Sequence, residues 1–263
     1  MVLRHARVAV VFASVALTAC TGSLGGLTAR ASDDWTRTYP LAANGEVQIT
    51  NGNGSIDVEG VEGIGEAMVD IRAERIARGA TDAAARELLP RITIKEDIKP
   101  NRVAIETERL TGIVIGVSVE VKYHVRVPNT ALVRLRTTNG EITVSAISGR
   151  LVAATTNGAI IGRNLNGGVE ARAVNGSVTM DVRSLGAELI ELRTVNGAVE
   201  LTLPASGKAN LSASVTNGVI DTSGFALDLM GEQTRRRVRG RLNGGGTSIE
   251  LSTTNGPIRV APK

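Results

Sequence analysis

The chain has few of the residues that build a thick aromatic core or a reactive site. It contains one cysteine, two histidines, one tryptophan, two tyrosines and two phenylalanines among 263 residues. With Cys20 as its only cysteine, the chain can form no internal disulfide, so its stability must come from packing. No Ser/His/Asp arrangement, Cys/His cluster or standard phosphate-binding glycine loop is recognisable. We therefore expect no cofactor, no metal site and no enzymatic activity.

The charge balance argues against nucleic acid as a partner. The chain has 30 Lys and Arg against 26 Asp and Glu, a formal net charge of +4. Arg4 and Arg7 lie in an N-terminal segment that we expect to be removed, which leaves 30 − 2 = 28 basic side chains against 26 acidic ones. Nucleic-acid-binding proteins concentrate positive charge. A nearly neutral chain therefore predicts no nucleic-acid partner.

Residues 1–19 are typical of an export signal. Arg4 and Arg7 precede an apolar stretch over residues 8–19, which is shorter than the roughly 20 residues of a permanent membrane helix. Leu17-Thr18-Ala19-Cys20 resembles the lipobox of bacterial lipoproteins. This resemblance implies cleavage before Cys20 and acylation of that residue. The alternative is an ordinary secretory signal that is cut near Ala29-Arg30-Ala31.

The lipobox resemblance implies a location in the cell envelope. Cys20 would be the lipid-attachment residue, with the membrane as its partner. Thr21 follows it, whereas lipoproteins with aspartate at that position stay in the inner membrane of Gram-negative bacteria, so the outer membrane is favoured there. Residues 20–38 predict a flexible lipidated tether, and residues 39–263 predict the folded domain.

Asn-Gly dipeptides recur along the folded part, beginning at residues 139, 157, 175, 196, 217 and 255. A regular period of this kind indicates a repeat architecture. The residues six and four before each asparagine, and three after it, are apolar or small, and those between are mostly polar. This is the alternation of β-strands with one buried face. Val47, Ile49 and Ile56 show the same offsets around Asn53.

Two stackings satisfy this pattern. In a β-meander, Asn-Gly would form hairpin turns. In a β-solenoid, each repeat would be one rung, with like positions stacked about 4.8 Å apart. Chemically alike residues in every column favour the solenoid, because stacked rungs place like beside like. The predicted fold class is therefore all-β, a single-chain, β-helix-like solenoid of short strands with Asn-Gly bends.

One short helix is predicted in the N-terminal half. Thr81 is its N-cap, the helix covers residues 82–89, and Pro90 lies just past its end. Strands are predicted around it, at residues 68–76, 91–95, 102–107 and 117–127.

Several motifs together resemble a known family. They are Tyr123-His124-Val125-Arg126-Val127-Pro128, the rungs of the form Leu-x-x-x-Thr-Asn-Gly-x-Ile, and Gly244-Gly245-Gly246 ahead of the last rung. They resemble the bacterial putative-adhesin family of unknown function over residues 40–262. The resemblance implies a β-solenoid, often on envelope or lipid-anchored proteins, for which no catalytic residues are defined.

Glu200 and Asp221 are the candidate acid pair, because each lies four residues after its asparagine. Neighbouring rungs would place them a few ångströms apart, where they could raise one pKa or hold a cation. The pair is the basis of an alternative function, a polysaccharide lyase or hydrolase. The other interpretation is two solvated surface carboxylates. His124, on the polar side of its strand, is expected to be structural.

Arg235, Arg236, Arg237, Arg239 and Arg241 form the densest run of charge. Their alternation with Val238, Gly240 and Leu242 predicts an edge strand with an arginine face, which would discourage edge-to-edge aggregation. The functional alternative is contact with an anionic partner. The Asn-Gly column is expected to be structural, with stacked asparagine amides bonded to each other.

Together these features predict a non-enzymatic, lipid-anchored envelope protein. Its repetitive surface would serve in adhesion, scaffolding or sensing, with an envelope protein or polysaccharide as partner.

Overall fold

The computed structural model describes residues 29–42, 44–62, 68–108, 110, 116–231 and 234–263. The predicted signal peptide, Cys20 and the first part of the predicted tether lie outside these residues. Within them, none of the helical structure has the length and apolar character that crossing a bilayer requires.

The described residues of the N-terminal half form seven strands, a helix and a short 3-10 turn. They are β1 (Ala29–Pro40), β2 (Glu46–Asn53), β3 (Ile56–Val61), β4 (Met68–Gly79), α1 (Asp82–Leu88), the 3-10 turn (Leu89–Arg91), β5 (Ile94–Lys99), β6 (Arg102–Thr107) and β7 (Val117–Pro128).

The C-terminal half consists of strands alone among the described residues. They are β8 (Leu132–Asn139), β9 (Ile142–Ser145), β10 (Leu151–Asn157), β11 (Ile160–Leu165), β12 (Val169–Asn175), β13 (Val178–Val182), β14 (Ile190–Asn196), β15 (Val199–Leu203), β16 (Ala209–Asn217), β17 (Ile220–Asp221), β18 (Leu227–Leu229), β19 (Arg237–Leu242), β20 (Thr247–Asn255) and β21 (Ile258–Pro262).

The strands form two sheets. Sheet 1 has ten strands in the order β1-β4-β7-β3-β9-β11-β13-β15-β21-β17, and sheet 2 has eleven in the order β18-β19-β16-β20-β14-β12-β10-β8-β2-β6-β5. The Asn-Gly bends at Asn53, Asn139, Asn157, Asn175, Asn196, Asn217 and Asn255 each join a strand of sheet 2 to the next strand of sheet 1, and we call such a pair a rung. Neighbouring rungs pair in parallel and in register, with Asn157 opposite both Asn139 and Asn175. Parallel pairing excludes the meander and confirms the β-solenoid.

The core is a narrow apolar layer between the two sheets. Like positions stack along it, so that Leu151 lies between Val133 and Val169 in sheet 2. Sheet 1 faces them with Ile142, Ile160 and other buried β-branched residues. The alternation of inward and outward residues along the rungs follows from the pleat of a strand, which turns successive side chains to opposite faces.

The helix and its surroundings match the sequence closely. Thr81 is the N-cap of α1, and its Oγ1 accepts a hydrogen bond from the Ala84 N–H at 3.2 Å. β4 continues three residues past its predicted end. β5 covers Ile94–Lys99, whereas the sequence predicted a strand at residues 91–95; its start is later because the 3-10 turn around Pro90 extends through Arg91.

β1 corrects the predicted tether. It pairs antiparallel with β4 along its full length, from Ala29 opposite Gly79 to Pro40 opposite Met68. The prediction of a flexible tether is therefore wrong for residues 29–38. Few of these residues are apolar, and ion pairs help to hold them to β4, as between Asp33 and Arg75 at 2.6 Å. A hydrophobic pattern therefore could not reveal the strand.

The last rung in sequence is not the last in space. β20 lies between β14 and β16, and β21 lies between β15 and β17. The 38-residue step from Asn217 to Asn255 contains β18 and β19, which fold antiparallel at the edge of sheet 2. The C-terminal rung therefore returns into the stack and becomes an interior layer.

Candidate functional site

The bends are joined by a ladder of asparagine side chains. The Nδ2 of each asparagine after the first donates a hydrogen bond to the Oδ1 of its neighbour, over 2.6–2.9 Å. In spatial order the ladder contains Asn53, Asn139, Asn157, Asn175, Asn196, Asn255 and Asn217. These amides bond to each other, so the column is structural, as predicted.

The polar backbone of the bends is also bonded within the protein. Thr194 donates its hydroxyl to the carbonyl oxygen of Gly176, on the neighbouring rung, at 2.8 Å. Thr137, Thr155 and Thr253 donate in the same way to the neighbouring carbonyl oxygens of Gly54, Gly140 and Gly197. On the first rung Asn51 takes this place and donates to the carbonyl oxygen of Val121 at 2.8 Å, and also to that of Gly54 at 3.1 Å. The polar groups along the bends are therefore hydrogen-bonded to each other within the protein.

The outer face of sheet 2 has a ladder of ion pairs. Glu170 lies 3.4 Å from Arg150 and 2.5 Å from Arg172. Glu191, only 9% exposed, lies 3.2 Å from Arg172 and also pairs with Arg193, which in turn lies 3.6 Å from Glu250. Charges of alternating sign neutralise each other across this part of the face.

The predicted acid pair is not formed. Glu200 and Asp221 both lie opposite Arg259, one on each side of it, because β21 separates β15 from β17. Two strand spacings amount to about 10 Å. The prediction of neighbouring carboxylates was therefore wrong, since it assumed that sequence order and spatial order were the same.

Asp221 has partners of its own. Its carboxylate accepts hydrogen bonds from the backbone N–H and the hydroxyl of Ser223, at 3.0 and 2.7 Å, and lies 3.6 Å from Arg259. The Ser223 hydrogen bonds, with help from Arg259, hold the pKa of this carboxyl below its ordinary value. Asp221 is therefore an ionised surface group in a turn. This is the opposite of the raised pKa that a general acid needs.

Other candidates for chemistry are dispersed over the surface. In the described part of the chain, no three residues among His, Cys, Asp and Glu lie close enough together to hold a metal ion. His124 lies on the outer face of sheet 1, with its Nδ1 3.5 Å from the Asp57 carboxylate, and both side chains are more than half exposed. It forms a cross-strand surface contact.

The arginine run forms the end of sheet 2. Arg237, Arg239 and Arg241 project from the outer face of β19, whereas Gly240 and Leu242 are buried, so the predicted alternation is confirmed. β19 is nevertheless not the edge strand. β18 pairs with its second half, from Leu227 opposite Leu242 to Leu229 opposite Gly240. This three-residue strand was not predicted, because it is too short to show a period in the sequence.

A concavity of about 660 Å³ opens beside the first residues of the run. Arg236 and Arg237 lie on one side, and hydroxyls from β16 and β20 line the other. They belong to Ser214, Thr216, Ser252 and Thr254. Sequence spacing gives these residues equivalent positions on their rungs, but only the return of the C-terminal rung makes them neighbours. We call this feature the arginine–hydroxyl concavity.

Comparisons with known proteins agree with this architecture. The chain resembles the solved structure of a putative cell adhesion protein from Clostridium sporogenes ATCC 15579, with a TM-score of 0.54 and 12% identity, over 89% of this chain and 100% of that one. A putative adhesin from Bacteroides fragilis NCTC 9343 matches with a TM-score of 0.35 and 11% identity, over 87% of this chain and 97% of that one.

No curated protein matches the chain. The Clostridium likeness, at 12% identity, shows the fold alone. The sequence model of the Toastrack DUF4097 family matches residues 40–261, which cover the rungs, the helix and the arginine run. The chain therefore belongs to the Toastrack DUF4097 family.

Proposed function

We propose that the protein is a non-enzymatic, lipid-anchored β-solenoid of the bacterial envelope that presents its outer faces to a protein or polysaccharide, in adhesion, scaffolding or sensing. The observation that carries this proposal is that the polar side chains of the bends make their hydrogen bonds within the protein. The bend asparagines and threonines bond to each other and to the backbone, so the wide outer faces are what the protein offers to a partner. The description of the Clostridium structure as a putative cell adhesion protein supports this role.

The position of β1 supports an anchored, projecting arrangement. β1 is one edge of sheet 1 and β17 is the other, with nine strand spacings between them. At about 4.8 Å each, these spacings amount to roughly 43 Å. Cys20 precedes β1 by nine residues. A lipid on Cys20 would therefore hold the β1 end near the membrane and leave the arginine run at the far end of the stack.

Lipid anchoring is tested by fractionating cells that express the full chain. The wild-type protein should sediment with membranes and incorporate labelled palmitate, because Cys20 receives acyl chains. Cys20→Ser should do neither, and Thr21→Ala is the matched control that should behave as wild type. A wild-type protein that is soluble and unlabelled would contradict the anchor.

Partner binding is tested by cosedimentation of the full chain, in a non-ionic detergent, with insoluble cell-wall material from the bacterium that produces it. We expect saturable binding that the urea-unfolded chain does not show. Turnover of that material, with no retention of the protein, would overturn a binding role in favour of an enzymatic one.

A further inference from the structure

Arg235, Arg236 and Arg237, at the end of sheet 2, differ from most of the other arginines on the same face. Arg136 is the exception, since no ion pair of the described residues involves it. Arg134, Arg150, Arg172 and Arg193 each lie within 3.6 Å of a carboxylate. Among the ion pairs of the described residues, none involves Arg235, Arg236 or Arg237. Like charges held side by side without counter-charges repel each other. This end of the face therefore has positive charge that an external anion can neutralise.

Backbone hydrogen bonds hold these arginines in place. Thr234 and Arg237 pair across a tight turn, at 3.0 and 3.2 Å, and the Arg236 N–H donates to the Thr234 hydroxyl at 3.2 Å. The carbonyl oxygen of Arg236 accepts from the Val215 N–H at 2.9 Å, which ties the turn to β16. Since the backbone is already ordered, binding here costs less conformational entropy than binding to a free loop.

The lining of the arginine–hydroxyl concavity has a definite chemistry. Arg236 and Arg237 offer planar guanidinium groups that can bind carboxylate, sulfate or phosphate through two hydrogen bonds at once. The serine and threonine hydroxyls opposite them can donate to anion oxygens and exchange hydrogen bonds with sugar hydroxyls. Among the residues that the structure describes, no carboxylate lines the space. Its volume of about 660 Å³ falls within the range of sites for small ligands.

We propose that the arginine–hydroxyl concavity binds the acidic groups of a polysaccharide, namely its carboxylate, sulfate or phosphate substituents. The assignment deepens the proposed function and rests on it for the orientation of the molecule. The concavity lies at the far end of the stack from β1, several Debye lengths of about 8 Å from the anchoring membrane. The headgroups of that membrane are therefore out of reach, whereas a polymer in the envelope is not.

The test measures binding of dextran sulfate and of uncharged dextran to the full chain in a non-ionic detergent. Dextran sulfate should bind and uncharged dextran should not. Arg236→Gln/Arg237→Gln should raise the Kd for dextran sulfate about 100-fold, about tenfold for each lost charge-assisted contact. Arg134→Gln/Arg150→Gln removes the same charge from the same face and should change the Kd less than about threefold, because distant exposed charges are screened.

Equal losses in both double variants would show a diffuse charge effect and overturn the site. Leu229 and Met230 are exposed at this same end, 56% and 47%, and exposed apolar residues beside arginines could also contact a lipid surface. Binding to vesicles of phosphatidylglycerol and phosphatidylcholine is therefore measured as well. Arginine-dependent binding to these vesicles, without binding to dextran sulfate, would replace the polysaccharide with a lipid surface. If no probe binds while cell-wall cosedimentation persists unchanged in Arg236→Gln/Arg237→Gln, this site is refuted and the proposed function survives.

Discussion

The glycine after each asparagine is required by close packing between rungs. A Cβ atom at Gly158 would overlap the carbonyl oxygen of Gly140, and one at Gly176 would overlap that of Gly158. The same contact recurs from rung to rung along the column. Any side chain would push the rungs apart at the point where the asparagine amides need to meet.

We expect Gly176→Ala to lower the free energy of unfolding by about 1–3 kcal/mol, because the new methyl group would overpack a site bounded by rigid backbone. Urea unfolding measures the change. Gly52→Ala is the matched control, since a Cβ there would meet nothing within 4 Å, and its midpoint should stay close to that of wild type. A neutral result for Gly176→Ala would mean that the rungs are not in contact there.

Tyr123 is the largest fully buried side chain of the core. Its hydroxyl lies 2.7 Å from the Thr107 hydroxyl. Burial disfavours the phenolate and raises the pKa of Tyr123 from 10.0 to about 12, against a smaller opposing effect of the Thr107 hydrogen bond. Tyr39 is affected in the same direction, by burial and by its hydrogen bond to Glu96.

This burial predicts a loss of stability at alkaline pH. With the pKa higher in the folded state, the contribution of Tyr123 is fully present below pH 10 and is lost as the pH rises towards 12, up to roughly 3 kcal/mol. Urea midpoints at pH 8, 10 and 11 should fall less steeply in Tyr123→Phe than in wild type. Parallel curves would contradict the burial of a neutral phenol.

At the scale of elements, the asparagine ladder connects rungs that hydrophobic packing alone would leave free to shift. Asn175, in the interior, donates to Asn157 at 2.9 Å and accepts from Asn196 at 2.8 Å. Asn217, at the end, makes one such bond, to Asn255 at 2.8 Å. An interior member therefore contributes two amide bonds and a terminal member one.

We expect Asn175→Ala to cost about 1–3 kcal/mol of unfolding free energy and Asn217→Ala about half of that, from about 0.5–1.5 kcal/mol for each hydrogen bond. Chemical unfolding of the two variants under the same conditions gives the ratio. If Asn217→Ala were the more damaging change, the ladder would have to end elsewhere.

The return of the C-terminal rung gives β20 a protected position. It pairs with β14 on one side and with β16 on the other, whereas β5 is an edge strand with one partner. Amide hydrogen exchange should therefore be as slow in β20 as in β12 and much faster in β5, because interior strands open only with larger parts of the fold. Rapid exchange of β20 at the rate of β5 would contradict the interior position.

At the scale of the whole molecule, the two ends of the stack differ in charge and in partners. The β1 end has paired charges, as between Arg72 and Asp34 at 3.0 Å. The β18–β19 end has the arginine run together with exposed apolar residues. An anchored solenoid that stands away from the membrane would therefore present the positive charge of Arg235, Arg236 and Arg237 outward.

Energy transfer to a membrane probe tests this orientation. Trp35 is the only tryptophan and lies on β1, so the lipidated chain in vesicles should transfer energy efficiently to a headgroup-attached acceptor. Trp35→Phe/Leu229→Trp moves the donor to β18, at the far end, and should transfer much less, because transfer falls steeply over a separation of roughly 40 Å. Equal transfer would mean that the solenoid lies flat on the membrane.

The repeat itself could be read from local pattern. Like residues in each column, the Asn-Gly bends and the cap at Thr81 depend on interactions within one rung or one helical turn, and the parallel register of β10 against β12 follows from them. β1 was not predicted, because ion pairs to β4 help to hold it and charged residues show no hydrophobic period.

The order of the rungs could not be read in this way. Every rung has nearly the same columns, so sequence pattern alone cannot rank β16 and β20 as neighbours of β14. The tertiary structure decides this, because β18 and β19 pair with the end of sheet 2 and leave the place beside β14 to the C-terminal rung. That one choice separates Glu200 from Asp221 and brings the hydroxyls of Ser214 and Ser252 together beside Arg237.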